Sequence, residues 1–450
     1  MALAATGRLW LYNRILRNQF NIQHSTMSSV LPSDIIAEII DIIEENEDTN
    51  LLKELALVSH SFLHMCSKHL FATVELQFTS ITAPMYNEPP SKKAFVKLLE
   101  SRPNVVQYIR KLTYTVEDGS WECNDSCPEK DIDSEQDIDS DNHLLATILP
   151  NLLRTIPHLN CLSITGGHST WNELDSSLSS AFLHLMHLPT MDHIRLSGIR
   201  NFPLSSLTPS VNMYRLDLSN MNDDDSPEIV QLEMMPKIRD FRTTGSSQLV
   251  KRLLYAKTQD ERPAFSIVDL RRLLMTFTPV QGLENERNIQ HLLQNAELLE
   301  ELYLLVGYGQ SLVGLLSLSA RTLKTLYLSI PFHDHSGHLP LAGLCEELEA
   351  MAGQYMLEAL SFEFRVTYHE TIDSIGSKIQ GVEKVLLKPG WSALRQVSFT
   401  VMVDCCMLSR MKACEALQSL PEKYLSHLSK LESVLLNYSA EGVCAKYHVL

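Results

Sequence analysis

Nowhere in the 450 residues do two cysteines stand at the CxxC spacing, and nine cysteines are an odd number scattered along the chain. That argues against a disulfide framework and favours a reducing compartment, the cytoplasm or nucleus. Basic residues are in deficit, 38 Lys+Arg against 54 Asp+Glu. A nucleic-acid groove, which needs phosphate neutralisation, is thereby disfavoured. Neither phosphate-cradling loop, GxGxxG or GxxxxGK[ST], occurs, and HExxH and GxSxG are also missing. The longest uncharged stretch, Leu302 to Ala320, is broken by Gly307, Gly309 and Gly314, so no membrane span is expected.

Charge is unevenly placed. Between Glu117 and Asp141 stand eleven Asp/Glu and one Lys, which predicts a solvated loop at 117–141. Asp131, Asp133, Glu135 and Asp137 imitate the start of a calcium loop, but Gln136 replaces the glycine and Asn142 the bidentate glutamate. The first 26 residues carry Arg8, Arg14 and Arg17 and no acid. They read either as a tail, spanning 1–29, or as a mitochondrial presequence. His333, His335 and His338 are dense enough to suggest zinc, yet no fourth ligand stands at motif spacing. No metal, cofactor or catalytic residue is therefore assigned.

From residue 109 one template returns eleven times, weakly at IRDFRT: apolar, two any, apolar, one any, apolar. It reads IRKLTY, LNCLSI, MDHIRL, MYRLDL, IRDFRT, FSIVDL, LEELYL, LKTLYL, LEALSF, LRQVSF and LESVLL. Alternation inside each match is the period of a strand with one buried face. The stretches between, such as 173–188 and 345–356, read as helices. Strand then helix, many times over, predicts an α/β solenoid over 109–450 with parallel strands on its concave face and helices on its convex face. The ninth positions, usually Asn or Cys in regular leucine-rich repeats, are neither here, so the repeats resemble the irregular kind. An ordinary α/β domain is the alternative.

The residue between the last two apolar positions would face the concave side. Arg195, Asp217, Arg242, Asp269, Tyr303 and Tyr327 occupy it in the middle repeats and are the candidate substrate-binding set. Arg and Tyr are the types enriched in binding hot spots.

Ahead of the repeats, LPSDIIAEIIDII at 31–43 predicts a helix with an isoleucine stripe, started by Pro32, Ser33 and Asp34. Two further short helices follow, one carrying Leu51, Leu52, Leu55, Leu57 and Val58, the other Phe62 to Phe71. Three such helices form a core too small to be comfortable alone. LPSDIIAEIIDII, LALVSHSF and HLFATVEL together resemble an F-box, in the form common in fungal F-box proteins, with Phe62 where many members carry Trp. The resemblance covers 30–78, and 79–108 reads as a linker containing a helix. It implies docking to a Skp-type adaptor, and through it a cullin, by Leu31, Pro32, Ile35, Ile36, Ile39, Leu57, Val58 and Phe62. It further implies a non-catalytic, substrate-recognising subunit of a ubiquitin ligase whose repeats hold a protein substrate. A leucine-rich scaffold without any ligase is the competing expectation.

Overall fold

The computed structural model describes residues 33–45, 49–76, 92–116, 147–167, 169–210, 212–221, 237–276, 282–306, 314–316, 321–332, 343–353, 356–367, 372–404 and 417–443. Leu31, Pro32, the tail, the acidic stretch at 117–141 and the histidine run at 333–338 lie outside these residues. The chain divides into two compact units, Met1–Phe71 and Ala72–Leu450. The division falls ahead of the 78 expected from sequence, because residues 73–76 form a strand of the second unit.

In the first unit, α1 (Ser33–Glu45), α2 (Thr49–Ala56) and α3 (His60–Leu70) enclose a small core of Ile36, Ile40, Leu52, Ala56 and Cys66. Leu57 and Val58 do not continue α2. Ser59 adopts an extended conformation and its hydroxyl caps α3 by accepting from the Phe62 N–H at 3.3 Å, which requires the preceding helix to stop. Leu57 and Val58 are left on a turn closed by Leu57 N–H to Glu54 O and Val58 N–H to Leu55 O.

Among the described residues the second unit holds a sheet of 12 strands in sequence order, every neighbouring pair parallel. The strands are β1 (Thr73–Leu76), β2 (Lys111–Thr115), β3 (Cys161–Thr165), β4 (His193–Ser197), β5 (Arg215–Ser219) and β6 (Asp240–Thr244). They continue as β7 (Arg272–Thr276), β8 (Glu301–Leu305), β9 (Thr325–Phe332), β10 (Ala359–Thr367), β11 (Gln396–Asp404) and β12 (Leu435–Val443). Parallel neighbours need crossover connections. Helices supply most of them: α4 (Lys92–Ser101), α5 (Ser176–Met186), α6 (Ser247–Tyr255), α7 (Gly282–Asn295), α8 (Leu344–Met351), α9 (Ile372–Leu386) and α10 (Leu420–Tyr424), with 147–154 also helical.

One hydrogen-bond device recurs from β2 to β11, and at β12 only Leu435 N–H makes it, to Arg395 O. The carbonyl just before a strand accepts from two successive N–H groups at the start of the next: Arg110 O from Asn160 and Cys161, Asn160 O from Asp192 and His193, Asp192 O from Tyr214 and Arg215. The same pattern runs on through Tyr214, Arg239, Arg271, Glu300, Lys324 and Glu358. At the other end the ladder extends past the strands, Gly166 N–H to Ser197 O and Gly198 N–H to Ser219 O. Side chains also satisfy backbone groups at the turns between strands. Ser246 does it directly, accepting from Met221 N–H at 2.9 Å and donating to Thr244 O at 3.1 Å. Farther on, the buried carboxylate of Glu383 accepts from His427 and Leu428 N–H at 2.9 and 3.0 Å.

The template lands on strands except at two places. FSIVDL is not a strand: β7 follows it, and Val268 is 46% exposed while Leu273 is fully buried. Leu270, Leu273 and Met275 form a second, overlapping match, and the chain takes that one. In the last repeat the register is two residues later than expected, Leu436 rather than Val434 facing Val397.

Gly376 lies inside α9, where glycine costs about 1 kcal/mol relative to alanine. A Cβ there would come within 2.1 Å of the Tyr424 ring. Gly376→Ala is therefore expected to destabilise, overpacking at about 1–3 kcal/mol outweighing the helical gain. A higher urea midpoint for the variant would contradict this.

Candidate binding face

Parallel sheets are normally covered on both faces. Here the second and fourth residues of successive strands are buried, from Leu112 and Ile164 to Leu304 and Leu328, while the first, third and fifth point to the other, open face. Period two and parallel register line these up across strands. The middle row runs Thr113, Ser163, Arg195, Asp217, Arg242, Leu274, Tyr303, Tyr327 and Ser361. Five of the six expected residues therefore stand in one row. Asp269 does not: it precedes β7, accepts from Ser266 Oγ at 3.3 Å and lies 3.5 Å from Lys237 Nζ, and Leu274 takes its place.

The row beside it, one step toward the strand starts, was not expected from sequence. It carries Cys161, His193, Arg215, Asp240, Arg272 and Glu301. The third letter of the template matches would have found its members except Arg272, since the third letter of FSIVDL is Ile267.

The two rows form one electrostatic network. Asp217 accepts from His193 Nε2 at 3.2 Å, Arg195 Nε at 3.1 Å, and Arg215 Nε and Nη2 at 2.9 and 2.8 Å. Asp240 accepts from Arg242 Nε at 3.2 Å and Arg272 Nη1 at 3.3 Å. Arg272 then forks onto Glu301 at 2.7 and 2.8 Å, and Tyr303 Oη donates to the same carboxylate at 3.3 Å. The Tyr303 and Tyr327 rings lie 5.7 Å apart. Tyr327 Oη donates to Glu363, which also accepts from Ser329 Oγ at 2.9 Å and Arg365 Nε at 2.7 Å.

Burial raises the Asp217 carboxyl, but hydrogen bonds from His193 and Arg215 outweigh it and hold the group well below the carboxylate range. Burial lowers the His193 imidazole, and its bonds to Asp217 and Cys161 more than reverse that, so its pKa is raised. Glu301 is held low chiefly by Arg272. Burial and the Glu363 carboxylate raise Tyr327. These carboxylates are ionised and matched to cations at neutral pH.

Cys161 Sγ sits 3.3 Å from His193 Nδ1, so thiol, imidazole and Asp217 form a chain. Such a chain can polarise a thiol. Acyl transfer also needs donors aimed at a developing oxyanion, and the Cys161 N–H is already given to Arg110 O. Among the described residues no group of three or more His, Cys, Asp or Glu is placed to hold a metal ion, and no helix is long and apolar enough to cross a membrane.

Over β1 to β7 the open face sinks into a trough of about 530 Å³, lined by Glu75, hydroxyls such as Ser163, Ser197 and Thr244, and Arg195, Asp217 and Arg242.

The helical unit presents a different surface. Leu57 and Val58 are 87% and 67% exposed, and Ile35 and Ile42, one helical heptad apart, are exposed too. Ile36, expected among the outward residues, is 7% exposed and belongs to the unit's own core. Ile39 is half-buried and Phe62 leans on that core. The i, i+4 spacing of Ile36 and Ile40 sends one side of the stripe inward and leaves Ile35 on the other. No protein-family model matches the chain, and no curated protein does either.

Proposed function

We propose that the chain is a substrate-recognition subunit of a Skp–cullin–F-box ubiquitin ligase, its helical unit docking the adaptor and its irregular leucine-rich repeats holding a protein substrate. The observation that carries this reading is the pair Leu57–Val58. Two large aliphatic side chains are held in water on a hydrogen-bonded turn, although the unit has a core in which to bury them. Covering each would be worth about 1.5–3 kcal/mol. Ile35 extends the apolar surface. The chain adds no catalytic step of its own, and a cytoplasmic or nuclear site of action goes with this role. A leucine-rich scaffold without a ligase is the second reading, favoured by the open polar face in Ala72–Leu450.

The test is binding of the full chain to purified Skp-type adaptor, beside an Ile35→Asp, Leu57→Asp double variant. Both positions are exposed, so the variant should fold, as circular dichroism would verify. The expected result is parent binding weakened about thirtyfold or more in the variant, the scale of a hot-spot loss. A folded parent that binds no adaptor would leave the scaffold reading.

A further inference from the structure

We infer that the open sheet face binds an extended peptide segment carrying anionic side chains three to six residues from an aromatic or large aliphatic one. This rests on the reading of that face as the substrate surface and names the substrate's chemistry.

The anionic preference follows from depth. The network holds Arg195, Arg215, Arg242 and Arg272 against Asp217, Asp240 and Glu301. The two sets are not equally accessible. The Arg195 side chain is 49% exposed, whereas the Asp217 and Asp240 side chains are 6% and 2% exposed. At Asp217 and Asp240 a ligand therefore meets guanidinium with the carboxylate beneath it, while Glu301, its side chain 30% exposed, is forked by Arg272. Arg195 spends its contacts to Asp217 on a single oxygen, Oδ2, through Nε and Nη2 at 3.1 Å each. Hydroxyls of Ser163, Thr165, Ser197, Ser219 and Thr244 surround the two arginines as neutral donors. A basic ligand would find Asp217 and Asp240 buried and Glu301 already held by Arg272, with Glu75 as the exposed acid of the trough, on β1 three strands from Arg195.

Beyond Arg242 the middle row changes character. Leu274, Tyr303 and Tyr327 replace charge, and Leu305 lies two residues past Tyr303 on β8, all half-buried on the open face, while Arg272 and Glu301 keep the neighbouring row charged. Bonds to Glu301 and Glu363 anchor the tyrosine hydroxyls, so the rings are held as a platform rather than left to rotate. An apolar side chain laid there covers rings that have already lost their freedom, which favours binding.

Spacing sets the motif. Adjacent strands are about 4.8 Å apart, so Tyr303 lies about 10 Å from Arg242 and about 19 Å from Arg195 along the row. An extended chain advances about 3.3 Å per residue, giving about three residues for the first distance and six for the second.

The experiment selects a phage-displayed random 12-residue peptide library on the full chain. The expected result is enrichment of Asp or Glu three to six positions from Phe, Tyr, Trp, Leu or Ile. The leading peptide, resynthesised, should bind about tenfold more weakly to Arg195→Gln and to Tyr303→Ser, but at most about threefold more weakly to Tyr303→Phe, which keeps the ring and loses only its hydroxyl anchor. A version with phosphoserine at the acidic position distinguishes the source of the anion: tighter binding assigns phosphate, equal or weaker binding assigns carboxylate, and both keep the anionic rule. No enrichment, enrichment of basic or uncharged sequences, or indifference to Arg195→Gln in a variant that keeps its thermal midpoint would overturn the inference. Adaptor binding measured on the same preparation separates the two readings. Adaptor bound without peptide selection defeats only this inference, and peptide selection without adaptor defeats only the ligase.

Discussion

Replacing Asp217 by alanine is expected to lower the stability of the protein by about 3 kcal/mol, read as a shift in the urea transition. Asp217 sits at the centre of the open face, buried, with three cationic partners within 3.2 Å. Removing one member of a buried ion pair costs about 3–5 kcal/mol because the partner's charge loses its compensation. The lower end applies, since Arg195 is half in water and its share is screened. Asp217→Asn keeps the shape and one acceptor and should cost less. A loss under about 1 kcal/mol in the alanine variant would mean that the network is a screened surface array.

The same group makes stability depend on pH. The folded pKa of Asp217 lies below its ordinary 3.8, so its contribution is present above that value and is lost as pH falls through the folded one. His193 has the opposite sign. Its folded pKa lies above the ordinary 6.5, so its contribution is complete below 6.5 and fades as pH rises through the folded value. The pair therefore stabilises most between about pH 4 and 6.5. Asp217→Asn should flatten the profile on both sides of that window, and an unchanged profile would show the two groups to be uncoupled.

Phe399→Ala is expected to cost about 3–5 kcal/mol, the range for emptying a buried aromatic site. Phe399 is fully buried on β11, stacked 5.2 Å from Phe362 and 6.2 Å from Phe364 on β10. A ring buries 150–250 Å² and aromatic neighbours add to that. Strands here pair only with their sequence neighbours, so the damage should be local. Hydrogen exchange ought to show protection falling over β10 to β12 more than over β2 to β4. Uniform loss along the sheet would show instead that the unit melts as a single cooperative block.

Much of this architecture was legible in the chain. Alternation in LNCLSI, MDHIRL and MYRLDL placed three strands and picked out Arg195 and Asp217, because a period of two assigns residues to faces with no tertiary information. It failed where two matches overlap. FSIVDL and the run from Leu270 to Met275 have equal local credentials, and only pairing of Arg272 with Asp240 on one side and Glu301 on the other selects the second. Asp269 was lost as a face residue for that reason. In the helical unit the stripe could be seen but not divided: Ile35 and Ile36 are adjacent in sequence, and which of them turns inward depends on where Leu52 and Cys66 arrive.

Composition and periodicity by themselves determined an α/β chain of repeated strands preceded by a small helical segment, because burial pattern is a local property of the backbone's pitch. Tertiary structure alone decided that β1 belongs to the sheet and not to the helices, that Arg215, Asp240, Arg272 and Glu301 interlock across separate repeats, and that Asp217 and Asp240 lie beneath the guanidiniums. Those facts depend on register between segments tens of residues apart, where a shift of one residue sends every side chain to the other face.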